Sequence, residues 1–189
     1  MHTILPIIGA LAVAGAVAPG AQQASPALDL AVHHAVLDFC VARMLDPSRP
    51  DDQLAKQAGV ELLPSTPGAG PFADAKSMRP IFALHPSAND KSMVDGLAAS
   101  GSARESCLVR IVDADGGEKS LVGFLRGATD WSLAGEETRG TVHMVSFRRL
   151  AAGQSYDVGL DVADDVDGAK RPDGMRAMIS VRPLQKSPK

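Results

Sequence analysis

The chain has 189 residues, 45% of them hydrophobic and 22% charged, with a formal net charge of −3. That balance offers no broad basic field, which argues against nucleic acid or anionic membrane as partners. Aromatic residues make up only 4%, with one Trp and one Tyr, and this argues against a large carbohydrate-stacking platform.

The opening stretch MHTILPIIGALAVAGAVAPGAQQA carries an apolar run, Ile4 to Val17, that is short for a bilayer span and is followed by small residues. This is the pattern of a secretory signal peptide, assigned to residues 1–21, with cleavage after Gly20, Ala21 or Ala24. Its first residues include no Lys or Arg, so an uncleaved anchor is the alternative. The first cysteine is Cys40, too far from the apolar run for lipoprotein attachment. About 165 residues remain after cleavage, enough to bury one core. Residues 25–182 are therefore read as one domain and 183–189 as a disordered tail. Heavy use of Ala, Gly, Asp and Arg fits a GC-rich bacterial genome, and the destination is then the periplasm or the medium.

Ser25 to Pro47 reads as the first helix. Ser25 is a good N-cap, Pro26 suits the first helical position, and Pro47 ends the run. At about 100° per residue, Leu28, Val32, Ala35 and Phe39 form one apolar stripe, while Leu30, Leu37, Val41 and Met44 form a second on the far side. Between them lie Asp29 with His33 and His34 with Asp38, both at the i,i+4 spacing of helix-surface pairs. The segment after it, SRPDDQLAKQAG, predicts a short helix with Ser48 as cap, Asp51 and Asp52 in the first turn and Gly59 as terminator. A Pro/Gly-rich loop follows Leu63.

From Arg79 the period changes to two, starting with Ile81 to Leu84. Met93 to Ala99 is a weak strand or a helical turn. Glu105 to Asp113 is a strand that places Cys107, Val109 and Ile111 on one face. Leu121, Phe124 and Leu125 predict a short helix ending at Gly127, with a strand as the alternative. A short strand is expected at Thr129 to Leu133, a longer one at Gly140 to Leu150 and a last one from Met175 to Arg182. Ser155 to Val162 alternates Tyr156, Val158, Leu160 and Val162 against Asp157, Gly159 and Asp161, so one face is expected buried and the other wet. Arg148, Arg149, Arg176 and Arg182 are expected to pair across strands with those aspartates.

Two cysteines in an exported chain point to a Cys40–Cys107 disulfide. The weak metal candidates are His34 and Asp38, or Asp29 with His33, two ligands where a tetrahedral site needs one or two more from His85, His143 or the acidic loop. The acidic stretch from Ala163 fails the calcium-loop template, because Ala163 and Gly174 occupy its two end ligand positions. Ser146 near His143 lacks a G-x-S-x-G elbow. Phosphate-loop, dinucleotide, C-x-x-C and H-E-x-x-H motifs are absent, so no cofactor is expected.

The sequence therefore predicts an α+β fold: a mainly antiparallel sheet covered on one face by an N-terminal helix and stapled by one disulfide. The expected function is that of an exported, non-catalytic binding, inhibitor-like or envelope accessory protein. Its partner would be a protein or small ligand, with no stable membrane association after signal cleavage. The rival is a small periplasmic hydrolase using histidine and carboxylate side chains.

Overall fold

The computed structural model describes residues 26–63, 78–86, 93–99, 106–113, 116–154, 156–165 and 174–185. The signal peptide with its cleavage sites, the Ser25 cap, most of the Pro/Gly-rich loop and the middle of the calcium-loop template lie outside them.

Seven strands form one antiparallel sheet in the order β1-β2-β3-β7-β6-β5-β4. Their ranges are β1 Met78–Leu84, β2 Met93–Ala99, β3 Cys107–Val112, β4 Trp131–Arg139, β5 Val142–Arg149, β6 Tyr156–Asp165 and β7 Met175–Gln185. The chain builds β1 to β3 as a meander and then crosses to the far edge. It returns through β4, β5 and β6 to lay β7 beside β3. Pro80 lies in β1, an edge strand, where a missing ladder donor is tolerated.

A few helices accompany the sheet. The first is a continuous helical run in three parts: α1 (Pro26–His33), a π-helical segment (His34–Val41) and α2 (Ala42–Leu45). Next come α3 (Asp51–Ala58) and α4 (Gly117–Gly127). Because α4 connects β3 to β4, it forms the crossover between two strands that are not neighbours, and it makes contacts with β4, β6 and α1.

The sheet face that meets the helices is set by strand alternation. Cys107, Val109 and Ile111 of β3 lie on it with Val145 and Phe147 of β5, Val158, Leu160 and Val162 of β6, and Ile179 and Val181 of β7; all are buried. The π-helical segment contacts β2, β3 and β7. It does so through two anchors. One is the disulfide Cys40–Cys107, with a Cα–Cα distance of 5.7 Å. The other is Phe39, whose ring meets Phe82 edge-on at 5.4 Å between centroids. Phe82 in turn lies flat over Gly96, its partner on β2, where any Cβ would overlap the ring. The last helix carbonyls, which have no partner within the helix, are met from the β5–β6 connection: the Tyr156 hydroxyl donates to Met44 O and Gln154 Nε2 to Leu45 O at 3.2 Å.

Several expectations need correction. The π-helical turn is wider than the assumed 3.6 residues, and Val36 and Cys40 are buried along with the predicted stripe; Val41 and Met44 of the second stripe are buried as well, whereas its Leu30, in α1, is 57% exposed. Ser48 does not cap α3: Pro50 takes that position, and the Ser48 hydroxyl donates to Asp46 Oδ1 at 2.6 Å. Gly59 does terminate it, at φ +67°. Strand β4 runs on past Leu133 to Arg139, because hydrogen bonding to β5 carries a polar sequence that has no alternation to reveal it. Strand β7 continues to Gln185, so Pro183, Leu184 and Gln185, expected in the tail, pair with β6.

The wet face is drier than alternation implied. Arg148 on β5 and Arg182 on β7 both stand opposite Gly159, and each reaches diagonally, to Asp157 and Asp161 respectively. Asp157 is only 2% exposed, since it also accepts the Ala151 N–H at 3.2 Å. On the same face Arg110 and Asp95, directly opposed on β3 and β2, form a buried two-pronged pair.

Candidate functional site

Polar chemistry gathers where α4 meets strands β4, β5 and β6. His143 lies on β5 two residues before Val145 and four before Phe147, so it shares their helix-facing side. The register sets it opposite Asp164 of β6 and Thr138 of β4. Its Nδ1 lies 3.1 Å from Asp164 Oδ1, and its Nε2 lies 3.1 Å from Glu136 Oε1. Carboxylates only accept, so the ring satisfies both contacts at once only when both nitrogens carry protons.

Helix α4 joins this line at both ends. Near its C-terminus Arg126 Nη2 donates to Glu136 Oε2 at 2.6 Å. Together Arg126 and His143 hold the Glu136 carboxyl below the usual glutamate range, Arg126 being the larger influence. At the N-terminus the cap residue is Gly116, at φ +99°, which offers no side chain to bond the first-turn amides. Glu118 turns back instead, accepting the Gly116 N–H at 3.2 Å. The helix can come close there because Gly117 faces Val32 and Leu28 of α1, and a Cβ at Gly117 would stand 3.0–3.1 Å from them. The price is that Glu118 is buried, 5% exposed. Burial pushes its carboxyl above the usual range, and the charge of Asp164 pushes it further.

Arg126, Glu136, His143 and Asp164 thus form a connected line, and Glu118 is buried at the N-terminal end of α4. Such a line can fasten the C-terminal end of α4 to β4.

The sequence-predicted residues lie elsewhere. His34 Nε2 and Asp38 Oδ2 are 3.9 Å apart on a partly exposed helix surface. His85 is exposed just after β1. Among the described residues, no three His, Cys, Asp or Glu converge in a way that could hold a metal ion. Ser146, three residues from His143, falls on the opposite sheet face. Asp29 and His33 depart from the solvated pair expected of them: Asp29 Oδ1 and His33 Nε2 are buried and have no hydrogen-bond partner among the described residues. The His33 ring meets Phe124 of α4 edge-on at 5.1 Å, and burial lowers its pKa.

Glu118, Arg126, Glu136 and Asp164 were missed by sequence reasoning. The available signal was period two: Asp164 follows Val162 as His143 precedes Val145, each putting a polar group on a core face. No family model matches the chain, and neither the curated proteins nor the solved structures provide a match.

Proposed function

We propose that this is an exported bacterial protein of the periplasm or medium that acts without catalysis, by binding a protein partner. The Cys40–Cys107 disulfide supports an oxidising, non-cytoplasmic location. No helix among the described residues is long and apolar enough to cross a membrane. In this reading the Pro26–Leu45 run covers the β2-β3-β7 half of the sheet and α4 covers the other half.

The observation that carries the binding reading is the exposure of two large apolar side chains on helices that contact each other, Leu30 of α1 and Phe124 of α4. Leu30 is 57% exposed and Phe124 50%. Leu30 lies one turn before His33, whose ring touches Phe124. Large apolar side chains grouped at a helix–helix seam are the anchors that protein interfaces use. A photo-crosslinking side chain at Phe124 in the native host should give a discrete adduct that Leu30→Ser abolishes, whereas the same probe at Leu150 gives none. Equal labelling at both positions contradicts the reading.

The hydrolase reading rests on Glu118, a buried acid whose pKa burial raises, the charge of Asp164 adding to it, since two carboxylates in differing environments can divide acid and base roles. A hydrolytic activity of the purified protein that is lost in both Glu118→Gln and Asp164→Asn would establish it in place of the binding role.

A further inference from the structure

We propose that the outer edge of β4 is where two copies of this chain join, antiparallel about a two-fold axis at Thr138, so that their sheets run on into each other. This edge is a different surface from Leu30 and Phe124, and it would pair whether or not they hold a partner.

An edge strand carries a row of outward N–H and C=O groups that another chain can use unless something blunts it. The two edges of this sheet differ in that respect. On β1, Leu62 bridges to Phe82, Pro80 lacks a donor, and the register shifts between Pro80 and Phe82. On β4 no described strand pairs with the outer side, eight of the nine residues are exposed, and none is proline. Its one register shift falls between Leu133 and Gly135, and from Gly135 to Arg139 the pairing with β5 is regular.

The hairpin sets which groups face outward. Arg139 and Val142 flank a two-residue turn, with Gly140 at φ +61°, and so bond to each other. Because bonded and non-bonded pairs alternate along an antiparallel ladder, the N–H and C=O of Thr138 and Glu136 then turn outward. Glu137 and Arg139 stand on the sheet face away from the helices, 3.1 Å apart, with side chains 44% and 77% exposed.

Two copies that keep their helices on the same side of a continued sheet can shift past each other only in steps of two residues. With Thr138 opposite Thr138, Glu137 of each copy falls opposite Arg139 of the other. One step in either direction sets Glu137 opposite Glu137, or Arg139 opposite Arg139. Unlike charges directly across a strand pair attract and like charges repel, so the charges of this edge select a single register. Within one chain Glu137 and Arg139 form an exposed ion pair of little worth; across the axis the four charges alternate in sign.

The test is sedimentation equilibrium on the oxidised protein recovered from its native host, at loadings from about 10 μM to about 1 mM to suit a short interface. The wild type should be a reversible dimer. Glu137→Arg and Arg139→Glu each set like charges across the axis and should each weaken association by about tenfold or more. Mixing the two variants sets unlike charges across the axis again and should restore association as a mixed dimer, which misfolding of either variant would not give. A monomer throughout the range, a dimer insensitive to both reversals, or no association on mixing overturns the proposal.

Discussion

Reducing the Cys40–Cys107 bond should cost the protein a large share of its stability without changing its fold. The bond joins the π-helical segment to the first residue of β3 across a sequence separation of 67. In the chain-entropy treatment, closing a loop of that length removes about 14–15 cal/mol/K from the unfolded chain, or roughly 4 kcal/mol at 25 °C. Both sulfurs lie in the buried core, so reduction in place leaves the packing nearly intact and isolates the cross-link, whereas Cys40→Ala with Cys107→Ala adds a cavity. For a domain of this size about 4 kcal/mol corresponds to a fall in Tm of roughly 8–16 °C. Urea denaturation of oxidised and reduced wild type, followed by the single Trp131, measures the difference directly. Equal midpoints in the two states would refute the reasoning, because the cross-link would then not be constraining the unfolded chain.

Asp95→Ala should destabilise by about 3–5 kcal/mol, since Arg110 is left buried without its main partner, while replacing both residues by apolar ones of similar volume should recover most of the loss. Chemical denaturation of the single and double variants checks this. Gly96→Ala should cost about 1–3 kcal/mol or abolish folding, because its methyl must displace the Phe82 ring that Phe39 rests on; near-ultraviolet circular dichroism reports the aromatic rearrangement. The Arg126–Glu136–His143 contacts should weaken in acid. Glu136 has a depressed folded-state pKa, so its contribution is present above the unfolded glutamate range and is lost as pH falls through the folded value. Glu136→Gln should remove that acid limb from a stability–pH profile.

How much of this was legible in the sequence depended on period. Cys107, Val109 and Ile111 alternate cleanly, and the structure puts them together on the helix-facing side with the cysteine bonded as expected. Leu121 and Leu125 at helical spacing marked α4 and its buried face. Strand β4 was legible only at Trp131, because its remaining residues are exposed and its pairing with β5 is a long-range backbone property that side-chain pattern does not encode. The candidate site was hidden for a related reason. His143 and Asp164 are 21 residues apart and meet only because the β5–β6 register sets them opposite each other, and a one-residue slip would put them on opposite faces. The helix-surface pairs drew attention because i,i+4 spacing is local. Yet α1 meets α4 on that side, which leaves Asp29 and His33 partly buried rather than solvated.

Whether the chain is exported with Cys40 bonded to Cys107 is decided by the intact mass of the protein recovered from the native host's periplasm or medium. The predicted species begins after Gly20, Ala21 or Ala24 and is two hydrogens lighter than the reduced chain. A species that retains Met1 to Val17, or one in which Cys40 and Cys107 both react with a thiol reagent before reduction, contradicts it.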